Sequence, residues 1–219
     1  MRLHRAKNKP IWRTATLFLI LGIGIISQPM AHPHIWVDLQ VTPIMDDQGA
    51  WVGLSQRWQF DPFYSLVLAE DFQDPQRLNQ LKADIWSNLE PLNFYTEITI
   101  AGQPMSFSPQ GELSITMDGF NAVLSFELSL DQPITITQLE SDDIRYRIFE
   151  PTYYLDMMHQ EKEPLVLSEM AKHCEFQMIS AQPSAEHLQR AIEVDDPEVA
   201  EDPTLGQHFA QTVVIQCAR

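Results

Sequence analysis

Strict two-residue alternation of apolar and polar side chains constrains this chain more than any other feature. In Val123-Leu124-Ser125-Phe126-Glu127-Leu128-Ser129-Leu130 the even-numbered positions are all large and apolar. Successive side chains of a β-strand point to opposite faces, so this run buries Leu124, Phe126, Leu128 and Leu130 on one face only. The same period governs His32-Pro33-His34-Ile35-Trp36-Val37-Asp38-Leu39. There Ile35, Val37, Leu39 and Val41 form the core side, while His32, His34, Trp36 and Asp38 share the outer one. Other strand candidates are Ala50–Phe60, Tyr95–Ile100, Leu113–Met117, Ile144–Phe149, Tyr153–Met157, Cys174–Ile179 and Gln211–Cys217, separated by Gly, Pro, Asn or Asp turns. The expected fold is mostly β, of the α+β kind, with antiparallel β-sandwich-like sheets and two or three short helices.

Helices are expected at three places. Asp61-Pro62 caps and opens a short one through Phe63-Tyr64-Ser65-Leu66, and Asp74-Pro75 starts a second reaching about Leu89. In the second, Leu78, Leu81, Ile85 and Leu89 recur at helical spacing, so they and Trp86 belong to the core. A third spans Ser184 to Ile192. The turn Asp46-Asp47-Gln48-Gly49 joins the first two strands. A four-residue loop there sets Met45 against Ala50, and hence Ile35 against Phe60, Val37 against Trp58 and His34 against Asp61. A slip of one residue would mix apolar with polar on one face, which disfavours it.

The beginning of the chain has the layout of a secretory signal. Arg2, Arg5, Lys7, Lys9 and Arg13 precede an apolar core from Ala15 to Ile26, and a polar stretch ends at Pro29-Met30-Ala31. That core falls short of the roughly 20 apolar residues of a membrane span. Residues 1–31 are therefore read as a signal peptide cut after Ala31, with an uncleaved anchor as the alternative. Residues 32–219 are read as a single periplasmic domain, or as two β subdomains divided near residue 92. Removing the signal leaves nine basic against thirty acidic groups, a formal net charge of −21. Nucleic acid and anionic membrane are poor partners for such a chain, whereas cations and basic protein patches suit it.

Two cysteines, Cys174 and Cys217, occur in the secreted part. In an oxidising compartment they are expected to form one disulfide, worth about 4 kcal/mol by loop-closure entropy. The chain has no Gly-x-Ser-x-Gly, no His-Glu-x-x-His and no glycine-rich phosphate loop, so it is read as a non-enzyme without a small organic cofactor. His159, His173, His187 and His208 stand apart in sequence and are read as surface or structural histidines. The acidic segment Glu193–Pro203 is read as a solvated loop.

The amino-terminal histidines carry the sharpest chemistry. After cleavage the free amine and imidazole of His32, the ring of His34 and the carboxylate of Asp61, with Asp38 nearby, make a mixed N/O ligand set for zinc, nickel, cobalt or copper. A square-planar amino-terminal copper mode would need the amide of residue 33, and Pro33 has no amide hydrogen to lose. Two other readings compete: a copper protein using an amino-terminal histidine brace, and a metal-free acidic adaptor that binds a permease.

His-Pro-His-Ile-Trp-Val-Asp at 32–38 and Trp58-Gln59-Phe60-Asp61-Pro62-Phe63-Tyr64-Ser65 resemble the best-marked blocks of domain-of-unknown-function family one thousand and seven. So do Asn93-Phe94-Tyr95-Thr96, Pro151-Thr152-Tyr153-Tyr154 and the two late cysteines. The resemblance covers nearly all of the secreted chain in the same order. It implies a periplasmic protein similar to the Zev-type zinc-uptake accessory protein, partner to a membrane metal permease of the nickel/cobalt transporter class. By motif match it directs attention to His32, His34, Asp38 and Asp61. Glu150 departs from the Asp expected before the proline, and the acidic stretch between the cysteines is an insertion.

Overall fold

A computed structural model describes residues 35–135, 144–159, 174–194 and 201–217. Residues 1–31, read above as a signal, lie outside the described residues, as do His32, His34, His173 and residues 195–200 of the acidic stretch.

Two long strands, β1 (Ile35–Met45) and β2 (Ala50–Phe60), form the first hairpin. They are followed by α1 (Pro62–Leu68) and α2 (Pro75–Leu89), each opened by an aspartate cap and a first-turn proline. Then come β3 (Thr96–Ile100), β4 (Gln103–Pro104), β5 (Phe107–Asp118) and β6 (Asn121–Thr135). The chain continues through β7 (Ile144–Ile148), β8 (Leu155–His159), β9 (Cys174–Ile179), α3 (Ala185–Ile192) and β10 (Thr212–Cys217).

The strands make two five-stranded sheets, ordered β5-β6-β2-β1-β8 and β4-β3-β7-β10-β9. One core joins their inner faces, with Leu39, Trp58 and Phe126 from the first sheet and Ile98, Tyr146 and Val213 from the second. The expected alternation holds: Ile35, Val37, Leu39 and Val41 are buried, as are Leu124, Phe126, Leu128 and Leu130. Leu78, Leu81, Ile85 and Trp86 of α2 pack against this core. Cys174 and Cys217 are directly opposed on β9 and β10 and joined by a disulfide, so the bond staples the closing strand to its neighbour. Among the described residues no helix is long and apolar enough to cross a membrane.

Two details depart from expectation. The sheets are mainly antiparallel, but β8 runs parallel to β1, pairing Trp36 with Asp156 and Leu39 with His159. A turn at Glu150–Tyr154 carries the chain from β7 in one sheet to β8 in the other, and so returns it in the same direction as β1. The first hairpin is also displaced from the expected register. Val37 faces Phe60 and Leu39 faces Trp58, with a bulge between Ile44 and Met45. The displacement is two residues along most of the hairpin, so every side chain keeps its face, but Asp61 comes opposite Trp36 instead of His34.

Candidate functional site

Asp61 ends β2 and serves α1. Its Oδ1 accepts from the amides of Phe63 and Tyr64 at 2.8 and 3.0 Å, which satisfies donors that a helix start leaves open. Its Oδ2 accepts from the Trp36 amide at 3.2 Å, and its own amide donates to the Trp36 carbonyl at 3.0 Å. A carboxylate has about four lone-pair positions, so three such bonds leave Asp61 capacity for another partner.

Trp36 is the hub of this end of the sheet. Asp61 flanks it from the β2 side and Asp156 from the β8 side, and Asp38 lies two residues further along β1 on the same face. Cross-strand neighbours in such rows sit about 5 Å apart and diagonal ones about 7–8 Å. Burial raises the pKa of Asp156 above the ordinary aspartate value. Sequence reasoning missed Asp156 because its place beside Trp36 depends on the parallel pairing of β8, which no local pattern announces. Among the described residues no group of three His, Cys, Asp or Glu side chains is placed to hold a metal ion.

Below this row lies a layer of tyrosines. Tyr64 packs on Phe60 with ring centroids 5.2 Å apart, and Tyr95 stacks on Trp58 at 5.9 Å. Burial, then the charge of Glu150 and the neighbouring Tyr64, pushes the Tyr95 phenol up to about 12. Tyr153 is pushed up to about 12 by burial and by Asp156. Tyr64 is raised by burial and then by Tyr154. With their pKa values raised, these phenols are neutral at physiological pH.

Glu150 shapes the turn that delivers β8. Its buried carboxylate accepts from the Thr152 amide at 2.9 Å, the Thr152 hydroxyl at 2.9 Å and the Tyr154 amide at 2.6 Å. Gly206 presses on the same turn, its amide donating to the Pro151 carbonyl at 2.8 Å. A Cβ there would come within 1.8 Å of the Glu150 carbonyl oxygen, so only glycine fits.

The segment before β3 stores strain. Asn93, Phe94 and Tyr95 have φ values of 49°, 52° and 55°, three left-handed residues in a row, each costing about 1–2 kcal/mol for a non-glycine. Packing holds them there: Phe94 is buried against Trp86 and Phe126. A cleft of about 280 Å³ opens beside them, walled by Leu92, Asn93, Phe149, Pro151 and Gln207.

Three further histidines are described. His159 is buried between the sheets, its Nε2 2.9 Å from the Tyr146 hydroxyl, and no hydrogen bond of normal geometry reaches its Nδ1. His187 caps α3 and stacks on His208 with ring centroids 3.5 Å apart. These two are separate in sequence but neighbours in space, which their spacing could not reveal.

Over residues 17–217 the chain matches the model of the family described as "Protein of unknown function (DUF1007)". It belongs to that family. A relative called an uncharacterized protein, from Haemophilus influenzae, is 28% identical over 207 residues, covering 92% of this chain and 98% of its own length. The segments that carry the resemblance fall on features just described: Asp61 with α1, the left-handed run before β3, the Glu150 turn and the disulfide. Where the family's Asp was expected, Glu150 supplies a longer side chain that spans its turn as far as the Tyr154 amide.

Proposed function

We propose that this protein binds a divalent transition metal, zinc foremost, at the entry to β1 in the periplasm, and passes it to a membrane permease of the nickel/cobalt transporter class without catalysing a reaction. One observation carries the reading: Asp61 is tied through Trp36 to the very start of β1, directly after His34 in the chain. Asp61, Asp156 and Asp38 supply carboxylate oxygens at that end, and His32 and His34 supply nitrogens, a donor set suited to zinc and its neighbours. The described carboxylates do not converge as a trio, so the two histidines are indispensable to the reading.

Calorimetric zinc titration of the chain beginning at His32 tests it. The proposal expects one tight site, loss of most of the affinity in His34→Ala with the melting temperature unchanged, and weaker uptake as pH falls through about 6.5, where free imidazole gains its proton. Full zinc affinity in His34→Ala would overturn it. Copper binding that disappears on adding one residue ahead of His32, with zinc binding absent throughout, would favour the histidine brace.

A further inference from the structure

The exposed side of α1 carries apolar residues where a surface helix normally carries polar ones. Phe63, Leu66 and Val67 are 83%, 73% and 71% exposed, and their spacing puts all three on one helix face. Phe120, at the turn joining β5 to β6, is 86% exposed. The turn is tied to the base of α1, because the Asn121 side-chain amide donates to the Phe60 carbonyl at 2.5 Å.

The helix cannot roll to hide this face. Ser65 Oγ donates to the Asp61 carbonyl at 2.7 Å and accepts from the Ala122 amide at 2.7 Å, and Leu68 is buried beside it. With Asp61 capping the first turn, α1 is clamped with Ser65 and Leu68 inward and Phe63, Leu66 and Val67 outward. Scattered exposed apolar residues are ordinary; three on one face of a clamped helix, with Phe120 on the turn tied to it, mark an interaction surface.

We infer that this face docks a polypeptide segment of a partner protein whose apolar side chains are flanked by lysine or arginine. Charge decides the occupant. Asp61 stands at one end of α1, Glu70 and Asp71 at the other and Asp118 beside Phe120. Arg77 pairs with Asp71 at 2.7 Å and Arg57 with Asp118 at 2.9 Å, so four carboxylates against two arginines leave the border net negative. Residues 32–219 carry thirty acidic against nine basic groups. Two copies of so acidic a chain repel each other, and an anionic bilayer repels it as well. An apolar centre with a basic rim complements both features. The patch adjoins the Asp61–Trp36 end of the sheet, so a partner seated here stands beside the proposed metal site. Identifying that partner as the permease rests on the function proposed above; the surface itself does not.

The test uses metal-free chain beginning at His32 and amide NMR. An amphipathic helix of leucine and lysine is titrated beside a serine/lysine peptide of equal length and charge. Phosphatidylcholine vesicles with and without phosphatidylglycerol are a third arm, and sedimentation velocity a fourth. The inference expects the Leu/Lys helix to shift amides of α1 and residues 119–121. It expects affinity to fall about tenfold or more in Phe63→Ser/Leu66→Ser, whose melting temperature stays near that of the parent. Equal binding of both peptides, vesicle binding in place of peptide binding, or self-association through α1 would each overturn it. Because no metal is present, zinc titration fails or succeeds independently of this result.

Discussion

Asp61 and Trp36 are joined by reciprocal hydrogen bonds, the Asp61 amide donating to the Trp36 carbonyl at 3.0 Å and the Trp36 amide to Asp61 Oδ2 at 3.2 Å. One residue thus closes the first hairpin, caps α1 and offers a carboxylate at the start of β1. These roles can be separated by substitution. Asp61→Ala removes the cap and the Trp36 bond and should destabilise the protein by about 1–2 kcal/mol. Asparagine keeps the Oδ1 cap but turns an NH2 donor toward the Trp36 amide, so Asp61→Asn should lose the Trp36 bond alone, about 1 kcal/mol, and stay above the alanine variant. If the carboxylate is a zinc ligand, both variants lose zinc affinity. Urea melts paired with zinc titrations check this, and an Asn variant with full zinc affinity leaves Asp61 a purely structural residue.

Asp156 is expected to be a liability to the metal-free protein at neutral pH. Burial raises its pKa in the folded state, so its ionised form is less comfortable folded than unfolded. The penalty is present above the folded pKa and relieved as pH falls through it. Asp156→Asn should therefore raise the thermal midpoint at pH 7, with the gain shrinking as the pH approaches the ordinary carboxylate range. Melting curves of the two proteins across that range check it. A constant difference at every pH would mean that packing, not charge, separates them.

His159 should make the fold acid-sensitive. Burial lowers its pKa from 6.5 to about 4, and the Gln211 side chain beside it opposes the shift only in part. The unfolded chain takes up this proton near 6.5 and the folded chain refuses it until about 4, so stability is lost between those values and levels off below. A shift of that size corresponds to roughly 3 kcal/mol. Denaturant midpoints measured from pH 7.5 to pH 4 should fall for the parent, and His159→Gln should flatten that fall because its side chain cannot titrate.

Much of this architecture is legible in short patterns. Alternation at 35–41 and 124–130 picked out the buried faces, and the Asp-Pro pairs at 61–62 and 74–75 marked helix starts that the structure places at Pro62 and Pro75. Such features depend on neighbours in sequence, where a cap, a ring and a period of two act. The candidate site is less legible because it is built across strands. Asp156 reaches Trp36 only through the parallel return of β8, and His187 meets His208 only after the chain has doubled back. Left-handed backbone at Asn93 is one that asparagine tolerates, but Phe94 and Tyr95 give no local signal for it, and tertiary packing pays for their strain.

Half of the displaced register of the first hairpin did have a signal, and it was Gly53. A four-residue loop sets Met45 against Ala50, yet Met45 faces Trp51, one residue of shift at the turn, and Ile44 faces Gly53, a second residue having entered β2 at the bulge. A second irregularity, between β2 and β6, falls at the same place, from Trp51 to Gly53. A Cβ on residue 53 would lie 2.3 Å from the Leu128 carbonyl oxygen, so the neighbouring strand approaches more closely than any side chain allows. The Gly53 carbonyl also accepts from the Trp51 indole at 2.6 Å, which fixes a ring buried in the core. Glycine inside an otherwise regular strand is characteristic of such a bulge. Gly53→Ala should cost about 1–3 kcal/mol by overpacking, or shift the strand pairing. Shifting the pairing would move Asp61 relative to Trp36, and with it the carboxylate offered at the start of β1. Urea melts combined with amide shifts at Trp36 and Asp61 distinguish the two outcomes, and a variant matching the parent in both would show that the bulge does not depend on glycine.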